Sequence, residues 1–258
     1  MTLTVALAAA ATLLAGAFAA ATFERWLDPR RRHDLAWSVA LALFALGALS
    51  LWAGAALGWD GPTFRLFYLF GAIVNVPTLA LGTVYLLAGR RAGDVAAAGV
   101  ALLGAFAAGV LAVAPLTGPI DPDRLPQGSD VFGPLPRVLA ALCSSVGALV
   151  VIGGAALSAG RALRDRTGPR RAAARQLVLA NVVIAAGAAT LSTSGLLNSV
   201  ADEMQAFAIT LAAGITLLFA GFLLATAPPR QRAPVPLPSA AGAAAPSRRA
   251  PVAARPRT

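Results

Sequence analysis

The chain has 258 residues, is 58% hydrophobic and only 12% charged, and carries a formal net charge of +10 with arginine as its sole basic residue apart from His33. Soluble domains run at about 25% charged and 45–50% apolar residues, so a core of this size cannot hide the apolar excess and lipid is the expected solvent. A single cysteine, Cys143, excludes an internal disulfide or thiolate cluster. A lone histidine cannot supply the axial pair of a membrane haem, and the sequence implies no cofactor.

A spanning helix needs roughly 20 mainly apolar residues. Charged and Pro/Gly clusters mark off seven such segments: Leu3–Thr22, Leu35–Ala56, Phe64–Leu87, Val95–Leu116, Arg137–Gly160, Gln176–Leu197 and Met204–Ala227. The expected fold is therefore all-α, a polytopic bundle over residues 1–227. The first segment resembles a signal peptide in its small-residue site, but the positive charge follows it instead of preceding it, so a retained helix is expected. Residues 228–258 are rich in Pro, Ala and Arg without an apolar face, which predicts a disordered basic tail.

All arginines except Arg65, Arg124 and Arg137 fall after segments one, three and five or in the tail. The positive-inside rule then places the N-terminus outside and the C-terminus in the cytoplasm of a bacterial inner membrane. Trp26, Trp37 and Tyr85 lie near the inner ends and Trp52, Trp59 and Tyr68 near the outer ones. The expected partners of the basic loops are anionic headgroups and not nucleic acid, since no stacking aromatics accompany the charge. The absence of lysine beside much Ala, Gly and Pro reads as the codon bias of a high-GC bacterium.

Segments one to three overlie segments five to seven without gaps. Pro29-Arg30-Arg31 falls on Pro169-Arg170-Arg171, Gly47 on Gly187, Phe67 on Phe207 and Arg90 on Arg230. The pattern predicts two parallel three-helix repeats, residues 3–87 and 137–227, joined by a linker helix at 95–116. Chance alignment of Ala-rich helices is the alternative. In this 3+1+3 plan with an outside N-terminus, the chain resembles the SWEET sugar transporters and the microbial rhodopsins. The stretch from Arg31 to Arg91, RRHDLAWSVALALFALGALSLWAGAALGWDGPTFRLFYLFGAIVNVPTLALGTVYLLAGRR, is also similar to uncharacterised actinobacterial membrane proteins. Rhodopsins need a lysine for the retinal Schiff base, and this chain has none. SWEET proteins carry prolines in the first helix of each repeat, whereas here Pro77 in the third segment is the one proline deep in a span.

No Asp, Glu, His or Arg falls in the interior of any of the seven segments, Arg65 and Arg137 sitting at the outer interface where long side chains snorkel. Proton pumping, intramembrane proteolysis and metal-dependent hydrolysis are therefore not expected, and the chain reads as a non-enzyme. Asp121, Asp123 and Asp130 lie among prolines in an outer loop whose spacing does not match a calcium loop. The neutral polar residues remain: Asn75 and Pro77 near the midplane, Thr216 at similar depth, Ser144 and Ser145, and Thr190 with Ser192, Thr193 and Ser194. Pro77 should free the Ile73 carbonyl and kink its helix. As a candidate ligand site, Asn75, Pro77, Ser144, Ser145, Thr190 and Thr216 would suit a small neutral or amphiphilic molecule. The bland reading is that they make interhelical or same-helix hydrogen bonds. Two functions follow: binding or transport of such a molecule, or a non-catalytic scaffold or receptor-like partner using the basic loop Arg161–Arg175 and the tail. A homo-oligomer is compatible with either.

Overall fold

The computed structural model describes residues 3–28, 30–164, 171–201 and 204–226. The tail 228–258, the repeat markers Pro29, Pro169, Arg170 and Arg230, and the side chains of Ser192, Thr193 and Ser194 lie outside the described residues. The helices are α1 (Leu3–Leu27), α2 (Arg32–Leu57), α3 (Gly61–Phe67), a π-helical segment (Tyr68–Val74), α4 (Asn75–Val113), α5 (Gly128–Val131), α6 (Pro134–Arg164), α7 (Arg171–Ala201) and α8 (Met204–Thr226). Ala and Leu, the residues these segments are built from, are among the strongest helix formers. The start of α3 is marked by Asp60, whose side chain accepts from the Thr63 N–H, and by a proline in the first turn.

Among the described residues, five helical stretches are long and apolar enough to cross a membrane, and the apolar stretch Arg175–Leu191 lies within α7. One of the five, Gly61–Val113, has 53 residues, roughly 80 Å at 1.5 Å per residue against a hydrocarbon core of about 30 Å. It folds back on itself at Gly89, whose φ of 84° and ψ of −178° interrupt the helix. That backbone conformation is open to glycine and strained for any other residue. Contacts across the break straddle Gly89 symmetrically. Arg65 reaches Leu111 and Ala114, Val74 packs at Gly104, and the Tyr85 ring covers Gly93. This stretch is therefore an antiparallel hairpin, and the described residues form seven long helical passes.

The passes form a closed ring in which α1 packs on α2, α2 on α3 to α4, α4 on α6, α6 on α7, α7 on α8, and α8 on α1. Several helix approaches are close enough to favour glycine, two of them at Gly47 and Gly187, positions the repeat alignment equates. A Cβ on Gly47 of α2 would lie 3.1 Å from the Gly71 nitrogen, and one on Gly187 of α7 would lie 2.8 Å from the Leu218 nitrogen and 3.0 Å from the Gly214 oxygen.

Apolar side chains gather at both ends of the ring. At the end holding the arginine-rich turns, here the basic end, Phe18, Leu41, Phe44, Ile215 and Phe222 join α1, α2 and α8. At the opposite end Leu51, Trp59, Phe64, Ile73, Leu111, Phe132 and Phe207 form the other cluster. Over it the 114–133 connection folds into a cap, pinned by a Leu116–Phe132 bridge, by Thr117 N–H to the Val131 carbonyl, and by Trp59 N–H to the Pro122 carbonyl. Asp121 and Asp130 are exposed, and Asp121 accepts from the Asp123 N–H within its own turn.

Candidate functional site

Pro77 organises the site. Without an N–H it cannot serve the Ile73 carbonyl in α register or the Ala72 carbonyl in π register. The seven residues Tyr68–Val74, which end three positions before it, are π-helical, so the expected kink takes the form of a widened turn. The Ser144 hydroxyl of α6 donates to the Ala72 carbonyl at 2.7 Å. Ser144 thus satisfies a backbone group that Pro77 leaves short of a partner, across 72 residues of chain.

Beside this contact lies a cleft of about 400 Å³ between the two arms of the α3–α4 hairpin and α6. Pro77, Ala80 and Leu81 form its floor with Cys143 and Gly147, and Gly99 and Val100 of the returning arm form one wall. Every lining residue is Pro, Ala, Leu, Val, Gly or Cys. The volume lies in the range of ligand pockets, but no strong hydrogen-bonding side chain faces it. Leu142 and Val146, more than half exposed, stand at its rim.

The six polar candidates are not brought to one point. Asn75 is buried on the stripe of α4 that includes Gly71, Thr78 and Gly82, of which Gly71 meets Gly47 and Gly82 meets Trp37, both on α2. By helical spacing this stripe faces away from the cleft that Pro77 lines. Ser145 is exposed, Thr190 donates to Ala186 and Thr216 to Ala212 within their own helices. Thr216 is exposed.

Two polar clusters escaped the sequence reading. Asp34 falls one residue before the apolar segment that starts at Leu35, yet α2 begins at Arg32 and buries it to 1% exposure. Its carboxylate sits 3.6 Å from Arg25 of α1 and 3.7 Å from His33, while Arg25 also lies over the Phe222 ring of α8 at 4.6 Å. Oδ1 of Asp34 and Nη1 of Arg25 make no hydrogen bond. At the hairpin turn Asp94 pairs with Arg32 and Arg90 and accepts from the Tyr85 hydroxyl at 2.8 Å, which ties α2 to both arms. Charge in both sequence stretches signals a polar turn, and only the packing of α1, α2 and α4 buries Asp34 and brings Asp94 to Arg32 and Tyr85.

At the capped end, Arg65 donates to the carbonyls of Leu111 and, at 2.8 Å, Ala114. The guanidinium thereby caps the C-terminus of the returning arm, where carbonyls lack helical partners and the helix dipole favours a cation. The aromatic cap joins Phe64 to Phe132, stacked at 5.2 Å, with Trp59, Phe67, Tyr68 and Phe207 around them. The Trp59 Nε1 is buried without a partner.

No protein-family model matches the chain, and neither the curated proteins nor the solved structures contain a similar one by these comparisons. Its resemblance to SWEET transporters, rhodopsins and actinobacterial proteins gains no support from them, and the functional reading rests on the helices and the cleft.

Proposed function

We propose that the chain is a multi-pass protein of a bacterial inner membrane that binds or transports a small amphiphilic molecule whose hydrocarbon part occupies the cleft. The carrying observation is a cleft of about 400 Å³ lined without exception by apolar residues. Such a lining leaves a polar ligand's hydrogen bonds unmade, at a cost of 1–3 kcal/mol or more per group, and leaves a hydrocarbon chain nothing to lose. Of the six candidates read from the sequence, Pro77 contributes to the floor and Ser144 to its support, whereas Asn75, Ser145, Thr190 and Thr216 stand elsewhere.

In this reading the basic end is cytoplasmic, where Arg30, Arg31 and Arg91, exposed and outside any ion pair found among the described residues, meet anionic headgroups. The two three-helix units are parallel repeats. The ring order returns to itself on a half-turn, and Gly47 and Gly187, which the repeat alignment equates, each stand at a close approach to the third helix of their unit, Gly47 at Gly71 and Gly187 at Gly214 and Leu218. The returning arm 90–113 is the linker helix. No catalytic role is assigned.

Mass spectrometry of the protein purified in mild detergent tests the reading. A Cβ at Gly99 meets nothing within 4 Å, so Gly99→Trp should fill the cleft without disturbing the backbone. The expected outcome is a stoichiometric hydrocarbon-bearing molecule on the unaltered protein and none on Gly99→Trp at equal thermal stability. An empty protein, or equal loading of both, refutes it.

A further inference from the structure

The π segment joins two parts of the molecule. On one side, Pro77, Ala80 and Leu81 floor the cleft. On the other, Phe64, Phe67 and Tyr68 build the aromatic cap with Trp59, Phe132 and Phe207. Well under 1% of residues in soluble proteins are π-helical, and π turns concentrate where helices change shape for function. Here the segment runs for seven residues.

Two donors compete for one carbonyl inside it. In the π register the partner of the Ala72 carbonyl would be residue 77, a proline, and the Ser144 hydroxyl takes the place at 2.7 Å. In the α register the Val76 N–H would take that carbonyl and release Ser144. Each register therefore satisfies Ala72, with a different donor. On the opposite face, Gly71 meets Gly47, and no side chain on either glycine interlocks the two helices there. A change of one residue in register turns the chain beyond the segment by about 100°, which would carry Phe64, Phe67 and Tyr68 out of their ring contacts.

We propose that Tyr68–Val74 is a two-register hinge, through which filling of the cleft sets whether the aromatic cap is closed. The proposal rests on the cleft reading above and adds its regulation. Ser144 is the latch of the closed register, and the Pro77 floor is where the ligand is felt.

The test is electron-electron distance measurement on the full chain in lipid nanodiscs, with Cys143→Ala removing the native thiol. Nitroxides at Leu66→Cys and Val138→Cys, both about half exposed at 48% and 51%, report the chain beyond the hinge against α6. Two distance populations are expected, their ratio moving about threefold on adding 1-hexadecanol, a modest ligand bias. Ser144→Ala should move the ratio toward the population with Ser144 released, and Ser144→Thr, which keeps the hydroxyl, should restore it. A single population, unmoved by either substitution, overturns the hinge and leaves the cleft to stand on its mass spectrum. Populations that answer to Ser144→Ala but not to hexadecanol, in protein shown to retain a bound chain, overturn the coupling.

Discussion

Asp34, Arg65 and Asp60 each hold a helix end through charge, in three different settings. The Asp34 carboxylate is 2% exposed and Arg25 35%. Removing one partner of a buried pair strands the other, which costs about 3–5 kcal/mol for full burial. Arg25→Leu should therefore lower stability by about 3 kcal/mol, the partial exposure of the Arg25 side chain placing it at the low end. Asp34→Asn, which keeps the shape and loses the charge, should cost less; chemical unfolding in detergent ranks the two. Arg65→Met removes both carbonyl caps from Leu111 and Ala114 and should cost about 2 kcal/mol, the scale of hydrogen bonds to a charged group.

Asp60 lies between α2 and α3, where hydrogen bonds from the Thr63 hydroxyl and N–H hold its carboxyl below the ordinary range. A depressed carboxylate stabilises the fold fully above its unfolded pKa of about 3.9 and loses that contribution as pH falls through the folded value. Melting should thus show an acid loss below about pH 4 that is smaller in Asp60→Ala, itself less stable at pH 7 by about 1 kcal/mol. Identical acid limbs in the two proteins would show that the cap does not titrate. Of these residues, Asp60 before Gly61-Pro62 carries a helix-start signature that the apolar segment drawn from Phe64 did not use. Arg65 read as a side chain snorkelling to the interface, because its acceptors lie 46 and 49 residues away.

Among the elements, the α3–α4 hairpin decides how many long helical passes the described residues make. Hydropathy over Gly61–Val113 is unbroken enough to look like one stretch, and the arginine pair Arg90-Arg91 marks where it must turn. Gly89 makes that turn with positive φ. Gly89→Ala should cost about 1–3 kcal/mol, the strain of a side chain in that region, although a Cβ there meets no atom within 4 Å. Gly54→Ala fails for the other reason: a Cβ would come within 2.5 Å of the Trp59 ring. Its expected cost is also about 1–3 kcal/mol, through overpacking, and Trp59→Leu should relieve it where it cannot relieve Gly89→Ala. A double-mutant cycle on melting curves separates strain from clash.

For the whole molecule, the proposed orientation makes the capped end extracellular. In a Cys143→Ala background, Asp123→Cys should react with a membrane-impermeant maleimide on intact cells, and Arg31→Cys only after permeabilisation. The reverse result inverts the topology and moves the basic end outside. The ring order from α1 round to α8 brings residues of distant segments into the same clusters, so that Phe207 of α8 meets Phe67 and Phe222 meets Phe18. Loading of the cleft and closure of the cap belong to this scale as well, since both need α6 against the hairpin.

The sequence by itself determined the helical class, the seven apolar segments and the turns between them, because apolar length, charge and Pro/Gly placement act locally along the chain. It also singled out Pro77, whose effect on its own helix needs no neighbour. Only the tertiary structure decided what the polar residues do. Ser144 meets Ala72 and Asp34 meets Arg25 because α6 and α1 are packed beside them, while Thr190 and Thr216 bond to their own helices. The cleft is the clearest case. Its lining consists of residues that hydropathy cannot tell from any other lipid-facing Ala, Leu or Val, and only the spacing of three helices leaves room between them.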